Sequence, residues 1–226
     1  MLILLPPSEG KSEIPGKSSF RDAEPALLPN ATAVLRWLKR QPRKALPALY
    51  KVSSPEKALE IHQRNLALFD APVLPAIQRY SGVVYDHIAF DTLTTPAHAR
   101  KRLLIVSALF GLIPASAQIP WYKLGMTPQL AKLWRPINTR RLHEFAQGQP
   151  VLDLLPQASA RALDYPHRIT VDFKLAGGKK SAGHFGKAIK GKFVRFLLEN
   201  KITRVEDFTG FTEDGYRFDG KDFVQG

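Results

Sequence analysis

The stretch Gly183–Asn200, GHFGKAIKGKFVRFLLEN, restricts what this chain can fold into more than any other. Laid out at about 100° per residue, Phe185, Ile189, Phe193, Phe196 and Leu197 share one side of a helix. His184, Lys187, Lys190, Gly191 and Arg195 fall on the other, together with Val194 and Leu198. The apolar stripe needs a core, and two apolar side chains inside the basic face also need cover. A solvated basic face would satisfy only the cations. The pattern therefore predicts a helix that floors a cleft, with its cations turned into it. A glycine inside a helix costs roughly 1 kcal/mol against alanine, so Gly191 marks a place where backbone or ligand comes close.

Charge along the chain is segregated. Residues 36–51 hold six Lys/Arg and no acid, residues 92–143 hold eight and no acid, and residues 174–204 hold nine with only Glu199. The whole chain carries +13, so the remainder is acidic. A concentrated positive field attracts polyanions, nucleic acid first and phosphorylated small molecules second. There is no Cys, which excludes disulfides, thiolate metal sites and Cys nucleophiles. None of the six His residues is spaced to share a helical face, so no metal and no cofactor is expected. No apolar run approaches a membrane span, and the first residues lack a basic n-region. The expectation is a cytoplasmic protein without membrane partners.

Leu2–Leu5 reads as a strand, followed by PPSEGKS. Gly10-Lys11-Ser12 invites a phosphate-loop reading, but the required earlier Gly is replaced by Leu5, and Pro6 and Pro7 remove backbone donors. What remains is a loop at a strand end presenting Ser8, Glu9 and Lys11. Helices are expected over 31–40, 42–50, 55–70, 95–102 and 128–145, the last interrupted at Pro136. Strands are expected at 103–106, 151–155 and 168–175, with 80–90 holding a strand or turn around Gly82-Val83-Val84-Tyr85. Asp153 lies inside an apolar run and needs a partner. Gly177-Gly178 turns a hairpin into the helix, and 216–224 closes the chain as a small hairpin. Ser107 stands at a strand end as a possible hydroxyl nucleophile without a supporting elbow motif. With no linker or repeat, residues 1–226 are expected to form a single α+β domain with a mixed β-sheet flanked by helices.

The chemistry left open is that of lysine. Lys187 and Lys190 are i, i+3 on one face, and repulsion in a covered cleft lowers a lysine's pKa. Such a group holds phosphate as a point charge or attacks an aldehyde as a free amine. Glu9 is the candidate acid/base partner.

The chain resembles the YaaA family of peroxide-stress-response proteins. The resemblance rests on LILLPPSEGK at 2–11, GVVY at 82–85, LLIVSALFGLI at 103–113 and IPWYKL at 119–124. It continues in GHFGKAIKGKFVR at 183–195 and FTGFTEDGYRFD at 208–219. It implies a compact α+β fold with a basic cleft, a role in limiting oxidative DNA damage through lower free iron, and binding of double-stranded or distorted DNA. A nucleotide-like small molecule is the alternative ligand, handled by an enzyme using Lys187 or Lys190 with Glu9. The DNA- or anion-binding set is then Ser8, Lys11, Lys123, His184, Lys187, Lys190 and Arg195. The resemblance also implies a helix-hairpin-helix-like element, for which the turn at Gly111 is the candidate. Pro114-Ala115-Ser116-Ala117 stands where many relatives have R-P-x-D. Likewise Asp153-Leu154-Leu155 replaces D-L-R, and Gly183-His184 replaces S-H.

Overall fold

The computed structural model describes residues 1–226. In chain order its strands are β1 (Leu2–Leu5), β2 (Val73–Pro75), β3 (Leu103–Ser107), β4 (Gly111–Pro114), β5 (Gln118–Pro120), β6 (Val151–Asp153), β7 (Arg168–Thr170), β8 (Phe173–Lys174), β9 (Tyr216–Phe218) and β10 (Phe223–Gln225). The main sheet is ordered β4-β3-β1-β6-β7. β1 is parallel to β3 and to β6, β6 is parallel to β7, and only β4 runs antiparallel. A strand covered on both faces should be apolar at every position, and Leu2, Ile3, Leu4 and Leu5 are all buried. Helices flank this mixed sheet, so the fold is α+β. One buried apolar cluster runs from Met1 to Phe223.

Two small sheets complete the chain. β2 pairs with β5, and β8-β10-β9 carries an aromatic cluster under the last helix. Phe173 stacks on Phe223 at 4.9 Å, and Phe193 meets Phe223 at 4.8 Å and Phe208 at 5.1 Å. These rings take up the apolar stripe of the Gly183–Glu199 helix. The expected strand over 168–175 is in fact two strands, β7 and β8, in different sheets. The chain leaves the main sheet at Val171-Asp172 to deliver Phe173 to the aromatic cluster.

Residues 83–88 are a helix, not a strand or turn. The β-branched pair Val83-Val84 argues for a strand, but tertiary packing outweighs that local preference. Gly82 at φ 109 starts the turn, and the helix lies against the last helix where Gly191 leaves room. A Cβ on Gly191 would sit 2.5 Å from the Val84 carbonyl oxygen. The close approach at Gly191 is therefore backbone. Val194 and Leu198, within the basic face, are both buried.

Pro136 does not interrupt the Pro128–Ala146 helix. Pro136 and Lys132 are exposed, so the carbonyl that loses its donor faces water. The segment around Gly111 is a β-hairpin between β3 and β4, with Ser107 opposite Gly111, and so is no helix-hairpin-helix element. Gly111 has φ +74, and Asn138 Oδ1 and Trp134 fill the space a Cβ would need. No helix is long and apolar enough to cross a membrane.

Candidate functional site

β1 and β6 are parallel neighbours, and the next strand of the sheet in sequence lies on one side for β1 (β3) and on the other for β6 (β7). In a sheet of parallel strands, such a point opens a crevice beyond the carboxyl ends. Here Pro6–Lys11 follows β1 and Leu154–Ser159 follows β6, and both line one cavity of about 500 Å³. The Val83–Ile88 helix, the start of the last helix, Leu49–Lys51 and Lys123–Met126 complete its walls.

The loop after β1 is held by pairing with residues 79–81. Ser12 N–H donates to Arg79 O at 2.8 Å, and Ser81 N–H donates to Gly10 O at 3.2 Å. Ser8 Oγ donates to Gly10 O at 2.6 Å and accepts from Ser81 N–H at 3.1 Å. The Ser8 hydroxyl is thus committed to shaping the loop. Beneath it, the buried guanidinium of Arg79 donates to the carbonyls of Ser12, Ile14, Pro72 and Ile119, at 2.6, 3.1, 3.0 and 3.2 Å. Tyr85 Oη donates to Pro6 O at 2.7 Å.

Five lysines and one carboxylate line the cavity: Lys11, Lys51, Lys123, Lys187, Lys190 and Glu9. Lys51 ion-pairs with Glu9, and this hydrogen bond holds the carboxyl below its usual range. Lys123 and Lys187 add to the same effect. Glu9 is therefore an ionised carboxylate already neutralised by a neighbour. Lys123 is positioned through its backbone. The buried Asn65 donates to Lys123 O at 2.9 Å and accepts from Lys123 N–H at 3.1 Å. Lys187 is exposed at the rim, and Lys190 is half-buried. Burial lowers the Lys190 pKa, with Asp172 and Asp153 pulling it back up.

Lys11 differs from the other four. It is 9% exposed, and its Nζ donates to Ser8 O at 2.9 Å. The same nitrogen lies 4.3 Å from the centre of the Tyr122 ring and 5.1 Å from that of Tyr80. Burial is the main cause that brings its pKa down to about 7, helped by the positive charge of Lys123 and opposed by Glu9. Behind the rings, Tyr80 and Tyr122 share a 2.6 Å hydrogen bond, and Tyr122 meets Ser107 at 2.8 Å. Ser107 Oγ also accepts from the N–H groups of Leu109 and Phe110, both at 3.1 Å. Fully buried and triply engaged, Ser107 holds the turn after β3.

The structure thus gathers Ser8, Glu9, Lys11, Lys123, Lys187 and Lys190 around one cavity. His184 and Arg195 do not line it. His184 is exposed one turn before Lys187. Arg195 donates to the carbonyls of Ile88, Ala89 and Thr92, to Thr92 Oγ1, and to Glu199 at 3.1 Å. It fastens the end of the Val83–Ile88 helix. Asp153 finds its partner in Arg168, with Nη1 to Oδ2 at 2.7 Å. Lys51 and Asn65 went unnoticed in the sequence. Lys51 lay in the first basic window, but nothing there signals its left-handed φ of 53 after the Leu46–Tyr50 helix.

With this geometry in place, comparison with known proteins gives a consistent result. The sequence model of a family described as peroxide stress protein YaaA matches residues 1–222. A UPF0246 protein of Corynebacterium efficiens is 36% identical over 216 residues, spanning 87% of this chain and 84% of that protein. One from Corynebacterium glutamicum is 34% identical over 223 residues, spanning 92% and 89%. A UPF0246 protein of Francisella tularensis is 27% identical over 241 residues, spanning 96% and 94%.

Proposed function

The chain belongs to the family described as peroxide stress protein YaaA, and on that premise we propose that it serves in the response to peroxide by gripping DNA at the lysine-lined cavity. The observation that carries this reading is the charge of the lining. Five lysines face one carboxylate, and that carboxylate is paired. Phosphate is the anion such point charges hold.

Size refines the reading. A cavity of about 500 Å³ suits one nucleotide-sized group and cannot admit a duplex. The DNA would lie across the rim, with Lys187 and Lys123 on its phosphates. A single unpaired or extruded nucleotide would enter, past the half-buried Lys190. Extrusion costs least where the base is already mismatched or damaged, so distorted DNA is the preferred partner.

Fluorescence anisotropy with a duplex carrying one extrahelical nucleotide, beside its matched counterpart, tests this. The distorted duplex should bind tighter, and affinity should fall steeply with salt. The joint variant Lys187→Ala, Lys190→Ala should lose most of the preference. Equal affinity for both duplexes, or binding indifferent to salt, would overturn the reading.

A further inference from the structure

We propose that Lys11 is an amine nucleophile that forms an imine with a phosphorylated sugar aldehyde held in this cavity. The inference rests on the reading above, that the cavity takes one nucleotide-sized unit. It moves the lysine chemistry expected of Lys187 or Lys190 to a residue on a different element.

Geometry singles Lys11 out among the five. Lys51 is occupied by Glu9, and Lys187 is exposed at the rim. Lys11 Nζ is buried at the cavity wall and uses one donor on Ser8 O, with two aromatic rings beside it. No carboxylate bonds to it. The two rings offset part of the cost of a buried ammonium, but with one hydrogen bond and no carboxylate partner it stays less well compensated than a neutral amine making the same bond. The charged groups acting on it are Lys123, Glu9 and Arg79, two positive and one negative. Their balance, added to burial, leaves about half the amine unprotonated near pH 7.

The step balances without an oxidant or metal. The amine lone pair forms a bond to the aldehyde carbon while the carbonyl π pair moves to oxygen. A proton passes from nitrogen to that oxygen, giving a carbinolamine. Loss of water then leaves a C=N bond. An abasic nucleotide within DNA and a free phosphorylated aldehyde both carry the required groups, with phosphate for Lys123 or Lys190 and an aldehyde for Lys11.

The test is borohydride trapping on the full chain, in parallel with DNA containing an abasic site and with glyceraldehyde 3-phosphate. A covalent adduct mapped to Lys11 by peptide mass spectrometry is expected. It should be abolished in Lys11→Met and in Lys11→Arg, with melting curves showing that both variants fold. The trapping rate should rise with pH and level off just above 7. An exposed lysine would keep accelerating past pH 9. An adduct with the abasic DNA alone identifies the strand as the source, and one with glyceraldehyde 3-phosphate alone identifies the free aldehyde. Adducts on Lys187 or Lys190 that survive in Lys11→Met overturn the inference, as does the absence of any adduct. DNA with a tetrahydrofuran residue, which has no aldehyde, separates the two readings. If that DNA binds while the aldehyde-bearing abasic DNA yields no adduct, the binding reading stands and this one falls.

Discussion

At the amino end of β1, the buried Arg102 donates to the carbonyls of Met1, Leu197 and Ile202. Beyond the carboxyl end of the same strand, the buried Lys11 donates only to Ser8 O. Both side chains are nearly out of solvent, at 5% and 9% exposure. The guanidinium's planar fork lets one charge serve several carbonyls, and Arg79 and Arg195 repeat the arrangement. Such a charge is spent on joining segments. An ammonium left with one carbonyl beside an open cavity is not. The contrast shows that burial of a cation says little about its purpose until its donors are followed to their acceptors.

The largest effect should come from the amino end. Arg102→Met leaves three carbonyls without their donor and should lose roughly 3–5 kcal/mol of stability in urea unfolding. Arg102→Lys should recover little, because a point charge cannot span the three. A loss under about 1 kcal/mol would break the comparison.

Lys11→Met should do the opposite. At pH 6 it should gain on the order of 1–3 kcal/mol, since it removes a charge that burial disfavours. Between about pH 7 and 10.5 the unfolded chain holds a proton on Lys11 that the folded chain lacks. Wild-type stability therefore rises with pH across that window, and the advantage of the variant fades over it. A variant less stable than wild type at pH 6 would make Lys11 a structural residue like Arg102.

The smallest effect on stability, and the sharpest on binding, belongs to the rim. Lys187→Ala should leave unfolding within about 0.5 kcal/mol of wild type. If it holds one duplex phosphate, it should flatten the log–log salt dependence of DNA binding by about 0.9. Isothermal binding at several salt concentrations reads this directly.

These differences mark what the sequence makes legible. The two faces of the last helix, the strand Leu2–Leu5 and the loop carrying Glu9 and Lys11 can be read from periodicity and spacing. Those features carry five of the six expected residues that line the cavity, all but Lys123. Arg195 shares the helical face of Lys187 and Lys190, yet a face says nothing of what sits over it two turns on. There the end of the Val83–Ile88 helix lies within reach and takes the guanidinium. Helix 83–88 itself was hidden because two valines mimic a strand, and it packs closely against Gly191, more than a hundred residues away. The distinction between Lys11 and its neighbours was hidden for a similar reason. Burial by Tyr80 and Tyr122 is a tertiary fact, and no local pattern reports it.

The position of β1 has a further consequence, for the order of events during synthesis. It precedes every other strand of the chain, yet it is the middle of the sheet. Its partner β3 follows about 100 residues later, and β6, which pairs Val151 with Leu2, about 150 residues later. At ordinary translation speeds that is a wait of roughly 8–30 s with an uncovered apolar strand. The two prolines directly after it cap its length, and neither offers a backbone N–H to a stray strand. Until those two strands arrive, the apolar Leu2–Leu5 has no sheet partner on either side.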